Sequence, residues 1–146
     1  IKYSVSKKGK KEDNFKALIQ FIRTSHPNDS GIVYCLSRKN TELIAQSLCS
    51  AGFDAHPYHA RLPQKQKDQT LENFISKDRM IIVATIAFGM GIDKPNVRFV
   101  AHMDLPKCLE SYYQETGRAG RDGHPAHAWM LYGLLDLVTL KKITNK

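Results

Sequence analysis

The sequence has 146 residues, a length that suits one hydrophobic core, since single-core domains peak near roughly 100–150 residues, and one domain is expected over 1–146. Hydrophobic residues make up 42% and charged residues 25%, an ordinary globular balance, and no apolar run approaches the roughly 20 residues of a membrane span, so no membrane partner is expected. The 22 Lys and Arg against 14 Asp and Glu leave +8, which favours polyanions and above all phosphate ligands as partners.

Cys35, Cys49 and Cys108 are odd in number, widely spaced and set in apolar stretches. That fits reduced core or near-core thiols in a cytoplasmic (bacterial) or nuclear (eukaryotic) protein, intracellular and not secreted, better than a disulfide framework. The chain opens on IKYSV without an initiator Met and closes on a lysine-rich stretch, so it reads as a fragment of a longer chain.

IKYSV is strand-like and gives way to the charged loop SKKGKKED. Phe15, Leu18, Ile19 and Ile22 then fall at i, i+3, i+4 and i+7, one helical stripe, with Asp13 or Asn14 as cap. GIVYCL at 31–36 is a short buried strand. Ser37 caps the next helix, whose Leu43, Ile44, Leu48 and Ala51 face inward and whose end is marked by Gly52. FDAHPYH at 53–59 is a weaker strand. Pro63 sits at the first position of a helix with Leu71, Phe74 and Ile75 as its core face. MIIVAT at 80–85 is the clearest strand in the chain. After AFGMGIDKPN come a strand at 98–103, a helix from about Lys107 to Thr116, a strand at 127–132, and a last helix carrying Leu137, Leu140 and Ile143.

Strands alternating with helices of this length imply an α/β fold with a mostly parallel sheet covered on both faces. In such sheets ligands bind beyond the carboxyl ends of the strands. The loops beginning at Ser37, Thr85 and Asp104 should therefore share one edge, and function is to be sought there.

Several motifs fail on detail. Gly89 and Gly91 give GxG after a strand, but the third glycine of a dinucleotide fingerprint is missing and Pro95 stops a helix from opening directly. The lone Gly9-Lys10 has Ser4 where a P-loop needs its earlier glycine, so the segment lacks a P-loop. The pairs His56/His59 and His124/His127 have no Cys or carboxylate ligand at zinc spacing, and no metal site is expected within the segment. None of the cysteines has an activating neighbour in sequence. What remains is QETGRAGRDG at 114–123. There Arg118 and Arg121, set among Gly117, Gly120 and Gly123, offer two guanidinium forks of the kind that grips phosphate oxygens bidentately.

QETGRAGRDG resembles motif six of the RecQ branch of superfamily-two helicases. GIVYCLSRKNTE resembles motif four, YHARLPQKQKDQTLENF the segment after it, and VATIAFGMGIDKPNVRFVAHMDLP motif five. The blocks stand in family order over about residues 31–132. The resemblance implies a RecA-like three-layer sandwich, a P-loop NTPase-like lobe lacking the P-loop. It would be the second of two lobes in an ATP-dependent DNA helicase that unwinds in the 3′ to 5′ direction during recombination and repair. ATP and Mg²⁺ would be held mainly by the first lobe, the missing interlobe partner, and the family's zinc module would lie downstream.

Carried over residue by residue, the resemblance makes Arg121 an arginine finger, Arg118 a second phosphate or cleft contact, and Gln114 a polar link between the cleft and the DNA side. Such fingers are worth about 10³–10⁵ in turnover. Gly91 and Asp93 would serve nucleotide binding, with the carboxylate accepting from a ribose hydroxyl. Ser37, Arg38, Thr85 and Lys94 would hold the backbone of single-stranded or forked DNA without reading its bases. Arg61 departs from the family pattern YHAGL, which has glycine at that place, and Asp93 stands where some members carry Asn. The competing reading is a catalytically retired lobe that binds nucleic acid or protein. It would require loss of the arginine pair, and the pair is present.

Overall fold

The computed structural model describes residues 2–7, 9–85, 97–104, 120, 123 and 125–132. In chain order these form β1 (Lys2–Lys7), α1 (Lys11–Ser25), β2 (Gly31–Cys35), α2 (Arg38–Ser50), β3 (Asp54–Tyr58), α3 (Gln64–Ser76), β4 (Met80–Thr85), β5 (Phe99–His102) and β6 (His127–Tyr132). The helices expected at 107–116 and around Leu137–Ile143 lie outside the described residues.

The strands make one sheet in the order β1-β6-β5-β2-β4-β3, and every pairing among them is parallel. Strand β2 is buried along its whole length, as a central parallel strand must be when helices cover both faces. Its alternate residues divide between two cores. Val33 and Cys35 join Ile81, Val83, Phe99, Ala101, Trp129 and Leu131 under α1 and α2. Ile32 and Tyr34 join Met80, Ile82, Ala84 and Val100 under α3. The result is the expected three-layer α/β/α arrangement.

Helix α1 presents Leu18, Phe21 and Ile22 to the sheet, with Phe15 and Ile19 packed at the margin. Phe21 lies outside the stripe read from the sequence, yet it stacks on Trp129 with ring centroids 5.1 Å apart. Gly31 opens β2 beside Phe99, and a methyl group there would run into that buried ring. Helix α2 ends in paired capping bonds, Gly52 N to Cys49 O at 3.0 Å and Phe53 N to Leu48 O at 3.0 Å, which satisfy its last carbonyls.

Several boundaries shift. Helix α1 starts at Lys11, so neither Asp13 nor Asn14 caps it. The Asn14 amide instead accepts from Gly9 N at 2.8 Å and donates to Gly9 O, closing the loop that enters the helix. Strand β2 stops at Cys35, leaving Leu36 64% exposed, and β3 and β5 are each one residue shorter at both ends than expected. Pro63 is the cap residue of α3 rather than its first turn. Ile75 is 54% exposed, because Thr70, Leu71 and Phe74 already fill the face of α3 that meets the sheet.

Candidate functional site

Parallel strands put all their carboxyl ends on one edge, and the register aligns them there. Cys35 lies beside Thr85, Tyr34 beside His102, and Tyr58 beside Ala84. The chain leaves β2 toward the β4–β3 side and leaves β5 toward β6, so the connections diverge between β2 and β5. Such divergence opens a crevice for ligands.

On this edge Ser37 is the cap of α2, its hydroxyl accepting from Asn40 N at 3.1 Å, with the proton of that hydroxyl left to donate. The first N–H groups of any α-helix have no acceptor within the helix, and the first turn of α2 carries no acidic residue to compete for an anion. Arg38 and Lys39 follow, both exposed. Thr85, half-buried, ends β4 next door. The loops are tied together by Asp104, whose Oδ2 accepts from Leu36 N at 2.9 Å, and by Met103 N donating to Tyr34 O at 2.8 Å. Beneath them burial, and secondarily the Asp104 charge, push the Cys35 thiol up to about 12. It stays a neutral packing group and is no nucleophile.

The loop after β3 joins the same edge. His59 is buried and bridges two elements: Nε2 meets Glu42 Oε1 of α2 at 3.3 Å, and Nδ1 accepts from Arg61 N at 3.2 Å. Arg61 keeps an ordinary negative φ, so the turn accepts a side chain where the family pattern has glycine. His56 pairs with Asp54 at 2.7 Å, and His127 meets Ser4 Oγ at 2.6 Å. Among the described residues no three His, Cys, Asp or Glu side chains gather as a metal site. Cys49 is exposed, whereas a core or near-core position is expected for it, and its Sγ reaches Ala55 O at 3.1 Å.

Gln114, Arg118, Arg121, Gly91, Asp93, Lys94 and Cys108 lie outside the described residues. Two glycines beside Arg121 are described. Gly120 and Gly123 adopt φ of 67° and 82°, a conformation L side chains rarely take, so glycine is required at both. Gly120 N donates to Val97 O at 2.8 Å, and Arg98 reaches Pro125 O at 2.8 Å. Val97 and Arg98 precede β5, so these contacts are made at the amino end of the strands. Ser37, Arg38 and Thr85 are thus brought together on one edge, whereas Gly120 of the arginine motif is hydrogen-bonded at the opposite one.

The protein-family model described as helicase conserved C-terminal domain matches residues 13–123. The chain belongs to that family. This helicase domain is 50% identical over 133 residues to an ATP-dependent DNA helicase RecQ of Pasteurella multocida, covering 90% of this chain and 21% of the relative. It is 47% identical over 126 residues to a RecQ-like DNA helicase BLM of Xenopus laevis, covering 86% and 9%. The domain is of the RecQ type, and the chain spans between about a tenth and a fifth of the length of these relatives. Among solved structures it superposes on domain 2 of the DEAD-box helicase Mss116p bound to an RNA duplex, with a TM-score of 0.86, 20% identity, and 99% of this chain and 59% of that one covered. A DEAD box protein from Methanococcus jannaschii gives 0.81 at 28% identity, covering 99% and 38%. These likenesses establish the RecA-like fold.

Sequence reasoning did not anticipate the roles of Asp104 and His59 in the helicase domain. From the sequence Asp104 marks only the start of a loop, though an acidic residue two positions beyond an apolar strand is a usable signal for a loop clamp. His59 gave no signal of its own, since its partner Glu42 is 17 residues away on another element.

Proposed function

We propose that this domain is the second motor lobe of a 3′ to 5′ ATP-dependent DNA helicase, a single unit over residues 1–146 that acts in the cytoplasm of a bacterium or the nucleus of a eukaryote. The first lobe of the same protein holds ATP and Mg²⁺, and any zinc module lies elsewhere in that protein. Arg121 reaches the γ-phosphate as the arginine finger, Arg118 adds a second phosphate or cleft contact, and Gln114 links the cleft to the DNA side. Gly91 and Asp93 meet the nucleotide's ribose. Ser37, Arg38, Thr85 and Lys94 hold the phosphodiester backbone of a single or forked strand, which the lobe ratchets along as the cleft closes and opens.

The observation that carries this reading is the shared edge of Ser37, Arg38 and Thr85, free of acidic side chains in the first turn of α2, in a chain of RecQ type. Hydroxyls, helix N–H groups and arginine contact phosphate without distinguishing bases, which suits a motor that must pass over any sequence. Both relatives are DNA helicases by name, and the Pasteurella multocida one is named as ATP-dependent.

The test is Arg121→Ala in the intact protein. Turnover should fall by about 10³-fold or more while ATP binding survives, because the finger acts on charge that develops in the transition state. A loss of only about twofold rejects the assignment. The 146-residue segment alone should show no DNA-stimulated ATP hydrolysis.

A further inference from the structure

We propose that Arg61 is an additional phosphodiester contact, extending the strand-binding edge across β3; this rests on the DNA-binding reading above. Tyr58 is level with Ala84, so the segment from His59 to Leu62 leaves the sheet directly alongside Thr85. The edge then runs from Ser37 and Arg38 past Thr85 to Arg61. Strands β2 and β3 stand two inter-strand spacings apart, about 10 Å.

The backbone under Arg61 is fixed. His59, 4% exposed, is held at both nitrogens: Nδ1 accepts from Arg61 N, which leaves the ring proton on Nε2 to meet Glu42. Leu62 N also donates to His59 O at 3.3 Å. The guanidinium itself is exposed, and among the described residues no carboxylate pairs with it. Helix α3 begins just beyond, without an acidic residue in its first turn. A permanent cation on an anchored loop, with no carboxylate paired to it among the described residues and in line with a hydroxyl and a second arginine, matches a strand of evenly spaced phosphates.

The experiment measures single-stranded DNA affinity of the intact protein by fluorescence anisotropy across a salt series, for wild type, Arg61→Ala, Arg61→Gly, Arg61→Lys and the reference Arg38→Ala. Loss of one phosphate contact should lower the slope of log K against log salt by about 0.7 for Arg61→Ala and Arg61→Gly, with Arg61→Lys keeping the slope and all melting temperatures unchanged. If Arg38→Ala lowers the slope and Arg61→Ala does not, the proposal for Arg61 is overturned and the DNA-binding edge stands. If the wild type shows no salt-dependent binding, both are overturned. If Arg61→Ala lowers the slope and Arg38→Ala does not, Arg61 is supported and the role given to Arg38 fails.

Discussion

Cys35 shows how a single side chain links the site edge to stability. Its thiol is held neutral by burial first and the Asp104 charge second, with a folded pKa of about 12 against an ordinary 9.0. Above about pH 9 the unfolded chain loses that proton while the folded one keeps it, so this stability is complete below that pH and is lost as pH rises toward 12. Tyr58, raised by burial and then by Asp68, adds in the same direction. The melting temperature should therefore decline on the alkaline side, and Cys35→Ala should make the decline shallower; an identical alkaline limb in both proteins would count against the assignment. Peptide mass spectrometry after brief iodoacetamide treatment should find Cys49 alkylated well before Cys35. Gly31 belongs to this scale as well. Gly31→Ala should cost about 1–3 kcal/mol because the new methyl overlaps the Phe99 ring, and Phe99→Leu should recover part of that loss in a double-mutant cycle. Strictly additive losses would show that the two sites do not meet.

Among the elements, α2 does most to build the site. Its apolar face, Ile44, Ala45 and Leu48, fixes it on the sheet, and that packing aims its amino end at the carboxyl edge. Ser37→Ala should destabilise the fold by about 1 kcal/mol through loss of the cap, whereas Ser37→Gly should cost only a few tenths. Both remove the hydroxyl, so both should weaken strand binding alike if the hydroxyl touches phosphate. Binding that tracks melting temperature across the two variants would instead assign Ser37 a purely structural role. The cap of α2 was readable because serine precedes an amphipathic run. The start of α1 was not, since Lys10 has no capping side chain and the helix is held by packing of Leu18, Phe21 and Ile22. Ile75 misled for a related reason. Periodicity marks which residues share a face, but the width of the face that meets the sheet depends on how α3 lies across it.

For the whole molecule, the net charge of +8 and the carboxyl-edge hydroxyl and arginines lead to one expectation about recognition. The intact protein should bind polythymidine and mixed-sequence single strands of equal length within a few-fold of each other, with affinity falling steeply as salt rises. A strong base preference at constant salt would mean that base edges are being read. Described residues of the carboxyl edge and of the arginine motif lie at opposite ends of one sheet. Ser37 and Thr85 lie at the carboxyl edge, while Gly120 is hydrogen-bonded to Val97 at the amino edge.

The sequence by itself determined the class of fold, the strands at 80–85 and 127–132, the cap of α2 and the RecQ-type motif order, because each is written in local periodicity or in residues close together along the chain. Only the tertiary structure decided the strand order β1-β6-β5-β2-β4-β3, the clamp from Asp104 to Leu36, the bridge of His59 between Glu42 and Arg61, and the clearance that Gly31 gives Phe99. The clamp and the clearance join residues 68 positions apart in both cases, and the sheet's first and last strands are farther apart still. Contacts at that range depend on how the packed layers bring distant segments together, and no local pattern encodes them.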